Sequence, residues 1–199
     1  WDSRATCVCI DASSTAEELS YYIDNSEVEK IFTSRGQLEK VEEAFTILNK
    51  KVELIIVDDI EFDKIKIDEN IEANLVINSP EKEDIALILY TSGTTGKPKG
   101  VMLTFDNILA NVDSLDVYKM YEETDVTIAL LPLHHILPLL GTGVMPLLYS
   151  ATIVFLDDMS SVALIDAMKK YKVTMLIGVP KLWEVMHKKI MDTINSKGI

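Results

Sequence analysis

Residues 88–101 read ILYTSGTTGKPKGV, and the interpretation of the whole chain starts from this stretch. An apolar strand leads into a loop that holds three glycines, four hydroxyl side chains and two lysines. Glycines allow tight turns that bring backbone N–H groups close to an anion, and lysines supply compact positive charge. The stretch is therefore predicted to bind phosphate. The candidate residues are Thr91, Ser92, Gly93, Thr94, Thr95, Gly96, Lys97 and Lys99.

Two familiar nucleotide-binding patterns do not fit this loop. A Walker A loop needs Ser or Thr directly after its Gly-Lys pair, but Gly96 and Lys97 are followed by Pro98. The GxGxxG signature of dinucleotide-binding proteins is also absent from the sequence. The loop therefore belongs to another class of phosphate site.

Strand-like and helix-like runs alternate on both sides of the loop. Repeated strand–helix units predict an α/β fold with a doubly wound, mostly parallel sheet and helices on both faces. Ligands bind such sheets beyond the carboxyl ends of the strands, which is where the loop lies. The predicted strands cover residues 5–11, 29–34, 53–59, 85–92, 126–133, 152–156 and 173–179.

The charge of the chain excludes one class of ligand and directs attention to the second half. The net charge is −13, and residues 1–90 hold 9 Lys and Arg against 21 Asp and Glu, giving −12. Such an acidic chain is not expected to bind nucleic acid non-specifically. A polyanionic ligand should approach residues 91–199, whose net charge is −1 from 10 basic and 11 acidic side chains. Residues 60–83, which are acidic and irregular, are predicted to form a surface excursion or a linker.

Two further patterns bear on the compartment and on the membrane. Residues 126–156 contain no Asp, Glu, Lys or Arg, but three prolines, two glycines and a His pair interrupt the run. We therefore expect buried strands and a helix there, and no transmembrane segment. Cys7 and Cys9 share one face of a strand at a spacing that suits a disulfide poorly. They are predicted to be free and buried, which is typical of a cytoplasmic protein.

Four segments resemble the adenylate-forming, AMP-binding enzymes, a family that includes acyl-CoA synthetases, luciferases and the adenylation domains of peptide synthetases. YTSGTTGKPKG at 90–100 is similar to the AMP-binding signature, and LPLHH at 131–135 is similar to the second core motif. GVPKLWEVMHKKI at 178–190 resembles a segment of long-chain acyl-CoA synthetases. Residues 7–34 resemble an early region of the family.

The resemblance implies a set of roles for named residues. The loop from Thr91 to Lys99 would hold the β- and γ-phosphates of ATP, with Lys97 at a variable position of the motif. Thr91 would also help to ligate Mg²⁺. His134 and His135 would border the acyl pocket, or form a packed His pair at a strand end. Gly141 would leave room for an acyl chain, or allow close packing between helix and sheet.

The family's later motifs are absent from this sequence. It has no Tyr-Gly-x-Thr-Glu segment, no Thr-Gly-Asp motif, and no hinge or C-terminal domain. The expectation is that residues 1–199 are part of an N-terminal AMP-binding domain and are inactive alone. The intact protein would join a long-chain fatty acid to CoA through acyl-AMP, using ATP and Mg²⁺.

Other possibilities stay open from the sequence. The chain could be a non-catalytic nucleotide-binding or regulatory module, or an adenylation domain for amino or aryl acids. The partners expected for the intact protein are ATP, a fatty acid and coenzyme A, with peripheral membrane contact left open and the oligomeric state undetermined.

Overall fold

The computed structural model describes residues 5–61, 80–91 and 96–197. Between Asn111 and Val112 the chain divides into two compact units. The first unit contains the phosphate-loop residues and the second contains the His pair and Gly141. Each unit is an α/β arrangement, as the alternating sequence pattern predicts.

The first unit is built around a three-stranded sheet in which β4 is central. Strand β1 (Cys7–Cys9) runs parallel to β4 (Ile85–Thr91), and β5 (Lys99–Thr104) runs antiparallel to β4 on its other side. The side chains of Ala86, Leu87 and Leu89 make β4 the buried strand of this sheet. The sequence predicts a loop between β4 and a helix, whereas β5 comes between them and makes the segment a hairpin.

A second, parallel pair of strands completes the first unit with two helices. Strand β2 (Lys30–Thr33) pairs with β3 (Glu53–Ile56), and α1 (Ala16–Asn25) packs against α2 (Leu38–Leu48). Short 3₁₀ turns follow β2 at Arg35–Gln37 and β3 at Val57–Asp59. The core of this part contains Ile23, Val41, Ala44 and Phe45. Each such apolar side chain larger than alanine contributes about 1.5–3 kcal/mol when fully buried.

Side-chain caps fix the starts of two helices in this part of the chain. The hydroxyl of Thr15 accepts from the Glu18 backbone N–H at 3.2 Å, and the Glu18 carboxylate accepts from the Thr15 N–H at 2.9 Å. This capping box starts α1 at Ala16. Helix α3 (Phe105–Val117) follows β5, and Thr104 caps it through a reciprocal pair with Asn107.

Within residues 112–197, the second unit contains the end of α3, one parallel strand pair and three further helical segments. Strand β6 (Val126–Ala129) pairs with β7 (Thr152–Phe155), and the helical segment α4 covers residues 136–148 between them. Within α4, Ile136–Pro138 and Met145–Leu148 are α-helical and Leu139–Val144 is π-helical. Helix α5 (Ser161–Tyr171) is capped by Ser160, and α6 (Pro180–Lys197) starts at a proline. Ile128, Val154, Leu164 and Ala167 form the core of this unit.

The strand predicted at residues 173–179 is wrong. Only Met175 pairs with β6, through a single parallel bridge to Thr127. The N–H groups of Thr174 and Met175 both donate to the Val126 carbonyl, at 2.9 and 3.2 Å. Two consecutive N–H groups therefore share one acceptor. In a β-ladder, the second hydrogen bond would instead reach a residue further along β6.

The two cysteines are free, as predicted, but their predicted burial is only partly correct. Cys9 is half-buried, and its burial raises the pKa of the thiol, while Cys7 is exposed. The reason is the strand order, because β1 is an edge strand of the sheet.

Two remaining expectations concern the excursion and the membrane. Most of the predicted excursion at 60–83 lies outside the described residues, as does Gly198, the predicted end of α6. Within the described ranges, no helix combines the length and apolar character that crossing a membrane requires.

Candidate functional site

The mouth of the β4–β5 hairpin brings two of the predicted phosphate-binding residues together. Thr91, the last residue of β4, pairs in register with Lys99, the first residue of β5. Both side chains are exposed. Ser92, Gly93, Thr94 and Thr95, predicted to bind phosphate, lie outside the described residues. An exposed hydroxyl and an exposed ammonium group therefore flank the point where the loop leaves the sheet.

The returning part of the loop, residues 96–99, is called here the lysine arm. Gly96 has a φ of +92°, which lies in the region that favours glycine. Among the described residues, no heavy atom lies within 4 Å of where a Cβ at this position would be. The need for glycine at residue 96 is therefore one of backbone conformation and not of space.

A tyrosine of helix α1 contacts the lysine arm at two points. The Tyr21 hydroxyl donates to the Pro98 carbonyl at 2.9 Å, across 77 residues of sequence. The Lys97 ammonium lies 5.8 Å from the centroid of the Tyr21 ring, within cation–π range. Tyr21 lies outside the residues predicted from the sequence to bind phosphate. The Tyr21–Tyr22 pair on a polar helix was the signal that could have directed attention to it.

Two more tyrosines connect α1 to the hairpin. The Tyr22 and Tyr90 rings lie with centroids 4.3 Å apart, and the Tyr90 hydroxyl donates to the Asn25 side-chain oxygen at 2.8 Å. Burial raises the pKa of Tyr90 above its usual value, so its hydroxyl remains a donor well past neutral pH. A Cβ at Gly100 would lie 3.0 Å from Ile88 and 3.4 Å from the Tyr90 ring. The small residue therefore lets the Tyr90 ring lie close to the start of β5.

The predicted acyl-pocket histidines lie in the second unit, just before α4. Their ring centroids are 4.1 Å apart with a tilt of 55° between the planes. His134 is half-buried and His135 is exposed. The His135 backbone N–H donates to the Pro132 carbonyl at 3.2 Å, which forms the turn that leads into α4. The two imidazoles are thus held as a contacting pair at the helix start.

Gly141 lies buried in the π-helical turn of α4. The Tyr121 hydroxyl donates to its carbonyl at 2.6 Å. Burial, together with the charge of Asp125, raises the pKa of Tyr121 and keeps this donor protonated. A Cβ on Gly141 would lie 2.5 Å from the Ile177 Cδ1 atom. This contact favours close packing over open space at this glycine.

The described residues near the loop offer few protein ligands for Mg²⁺. The described ranges contain no group of three His, Cys, Asp or Glu side chains that could hold a metal. Mg²⁺ usually keeps several waters and is held by one or two protein groups together with substrate phosphates. Thr91, with its exposed hydroxyl beside the hairpin mouth, fits the part of one such protein ligand.

Comparison with known proteins decides the family. A family model described as AMP-binding enzyme matches residues 1–197. The chain belongs to the AMP-binding enzyme family. This confirms the resemblance that the loop, the His pair and the later segment indicate in the sequence.

Relatives and solved structures within this family differ in the acids that their names mention. The chain is 36% identical over 118 residues to the human long-chain-fatty-acid–CoA ligase ACSBG2, over 58% of the chain and 18% of that protein. It is 31% identical over 192 residues to the oxalate–CoA ligase of Arabidopsis thaliana, over 92% of the chain and 37% of that protein.

A solved structure shares the fold. The O-succinylbenzoate coenzyme A synthetase of Bacillus subtilis, in complex with ATP and a magnesium ion, matches with a TM-score of 0.70 and 26% identity. The match covers 91% of this chain and 35% of that one. The chain therefore spans only about a third of the length of this neighbour.

Proposed function

We propose that residues 1–199 form the phosphate-binding part of an ATP-dependent acid–thiol ligase. The observation that carries this proposal is the hairpin mouth, where Thr91 of β4 pairs with Lys99 of β5 in a family member. The relatives named above are CoA ligases for different acids, and the structural neighbour was solved with ATP and magnesium. In this proposal the chain is part of a larger N-terminal domain.

The chemistry proceeds in two steps. In the first, a carboxylate oxygen attacks the α-phosphorus of ATP, the bond to the bridging oxygen breaks, and pyrophosphate leaves as acyl-AMP forms. In the second, the sulfur of CoA attacks the acyl carbonyl and AMP leaves. Charge builds up on pyrophosphate in the first step, so fixed positive charge at the loop stabilises that transition state.

The lysine arm and Thr91 have separate roles in this scheme. Lys99 and Lys97 offset the negative charge of the β- and γ-phosphates, and the Thr91 hydroxyl binds either a phosphate oxygen or Mg²⁺. Mg²⁺, if bound there, would neutralise part of the phosphate charge. Gly96 supports the arm by adopting the positive φ that the turn requires.

We further propose a long-chain fatty acid as the substrate. Support comes from the 36% identity to the human fatty-acid ligase over 118 residues, and from the GVPKLWEVMHKKI segment at 178–190. The His134–His135 pair and Gly141 are proposed to border the acyl site. A Cβ on Gly141 would lie 2.5 Å from Ile177 Cδ1, so Ile177 is proposed to line the site beside this glycine.

The test is product analysis with the natural protein that contains this chain. ATP, Mg²⁺ and CoA are supplied with palmitate, oxalate, acetate or 4-coumarate, and nucleotides, pyrophosphate and thioesters are quantified. We expect AMP, pyrophosphate and acyl-CoA in equal amounts, with the highest kcat/KM for palmitate. Residues 1–199 alone are expected to give no turnover, because one phosphate loop is not a complete transition-state site.

Each part of the proposal has its own contrary result. ADP as the nucleotide product contradicts the ligase chemistry as a whole. ATP binding with no product from any acid would point to a non-catalytic module instead. A higher kcat/KM for oxalate or 4-coumarate than for palmitate leaves the ligase in place and removes the fatty-acid assignment.

A further inference from the structure

Tyr21 of α1 contacts the lysine arm at two points. The Tyr21 hydroxyl bonds the Pro98 carbonyl, and its ring lies under the Lys97 ammonium. The Tyr22 ring instead lies against the Tyr90 ring, and the Tyr90 hydroxyl donates to the Asn25 side-chain oxygen. One side chain therefore contacts both the backbone and the charged group of the arm.

We propose that Tyr21 is a positioning residue that fixes the lysine arm for the polyphosphate of ATP. The inference rests on the proposed function, because it assumes that the arm binds ATP. Tyr21 does not reach the nucleotide in this scheme and acts only through Pro98 and Lys97. It adds to the site a residue from an element that carries none of the motif.

The packing around Tyr21 explains why it can serve this purpose. Tyr21 is half-buried, and its ring makes edge contacts with the rings of Tyr22 at 5.9 Å and Tyr90 at 6.2 Å. Helix α1 is itself fixed by the Thr15–Glu18 capping box and by Ile23 in the core. The hydroxyl is thus presented from a rigid element, and a rigid support lowers the ordering cost of binding.

The residue that accepts the Tyr21 hydrogen bond is a proline, which restricts the ways in which the lysine arm can be held. Proline has no N–H and its φ is fixed, so its carbonyl is the one backbone group that it offers for hydrogen bonding. Tyr21 donates to that group one residue before Lys99. Holding the Pro98 carbonyl therefore limits the rotation of the peptide plane that leads directly into Lys99.

The test compares two substitutions at Tyr21 in the natural protein that contains this chain. Tyr21→Phe keeps the ring under Lys97 and removes only the hydroxyl, while Tyr21→Leu removes both contacts. Dissociation constants for ATP and for pyrophosphate are measured by titration calorimetry, and KM and kcat are measured for ATP and for the acid. Tyr22→Phe is the matched control, because it removes the hydroxyl of the neighbouring residue on the same helix.

The expected results are graded and specific to the nucleotide. Tyr21→Phe should raise the Kd and KM for ATP by about 3- to 10-fold, which corresponds to one lost hydrogen bond. Tyr21→Leu should raise them by about 2- to 5-fold more, since the cation–π contact is also lost. The KM for the acid should stay unchanged, and Tyr22→Phe should leave the Kd for ATP within about twofold of wild type at comparable thermal stability.

Two outcomes overturn the inference, and they are separable from failure of the proposed function. If Tyr21→Phe and Tyr21→Leu bind ATP as tightly as Tyr22→Phe does, Tyr21 does not position the arm. If the KM values for acid and ATP rise together, the effect is a general loss of structure. A wild-type protein that binds ATP without ligase turnover contradicts only the proposed function, whereas one that binds neither ATP nor pyrophosphate contradicts both.

Discussion

Lys99 is the residue on which the phosphate-binding role depends most directly. It is exposed at the first position of β5, and its Cα partner across the hairpin is Thr91. A lysine at the start of a paired strand has a fixed backbone, and the Lys99 side chain is exposed. Lys97, by contrast, lies on the arm itself and contacts the Tyr21 ring. The two lysines should therefore contribute differently to ATP binding.

Lys99→Ala tests this role. Removing one charge-assisted contact costs about 1.5–3 kcal/mol, so the rate of ATP–pyrophosphate exchange should fall by about 10- to 150-fold. The matched control is Lys30→Ala, because Lys30 is an exposed lysine of the same unit that pairs with Glu53 at 3.0 Å. Exchange in the control should stay within about twofold of wild type, since exposed ion pairs contribute little. An unchanged exchange rate in Lys99→Ala would remove Lys99 from the mechanism.

At the scale of elements, the patterns that are local in sequence predicted most of the fold. The alternation of strand-like and helix-like runs was readable because each run depends on residues that are near neighbours in the sequence. The buried run of β4 was equally clear. These features gave the α/β class and the location of the loop.

The features that sequence patterns missed depend on contacts distant in the chain. Strand β5 does not show the alternation of buried and exposed side chains that marks a strand in a sequence, because Val101 and Met102 are both exposed. Its backbone pairing with β4 defines it instead. The bond from Tyr21 to Pro98 joins residues 77 positions apart. No local period signals such a contact, and it appears only once the elements are assembled.

The π-helical turn in α4 provides a test at the scale of an element. Gly141→Ala should destabilise the protein by about 1–3 kcal/mol, because the new methyl group would overlap Ile177 Cδ1, which lies 2.5 Å from the Cβ position. Gly143→Ala is the control in the same turn, since a Cβ there meets no atom within 4 Å. Urea unfolding provides the free energies.

A second substitution separates overlap from other effects at Gly141. Ile177→Val removes the atom that the new methyl group would meet. We expect the double variant Gly141→Ala with Ile177→Val to lose less unfolding free energy than the two single variants lose together, by about 1 kcal/mol. Additive losses, or an equal loss in Gly143→Ala, would show that close packing with Ile177 is not what requires glycine at residue 141.

At the scale of the whole molecule, the negative charge is concentrated in the residues that precede the loop with the two lysines. Of the net charge of −13, −12 comes from residues 1–90, while the loop that follows β4 contributes Lys97 and Lys99. A family model covers residues 1–197, yet the chain spans only 18% and 37% of the two relatives described above. The reaction therefore has to be tested in the natural protein.

The central claim is that the carboxylate of the acid becomes bonded to the α-phosphorus of ATP. The most direct measurement supplies the natural protein with ATP, Mg²⁺, CoA and palmitate labelled with ¹⁸O in its carboxylate, and follows the label by mass spectrometry. We expect one ¹⁸O atom in each AMP released, because acyl-AMP leaves its bridging oxygen on AMP when CoA attacks. Label in inorganic phosphate, with ADP as the nucleotide product, would contradict it.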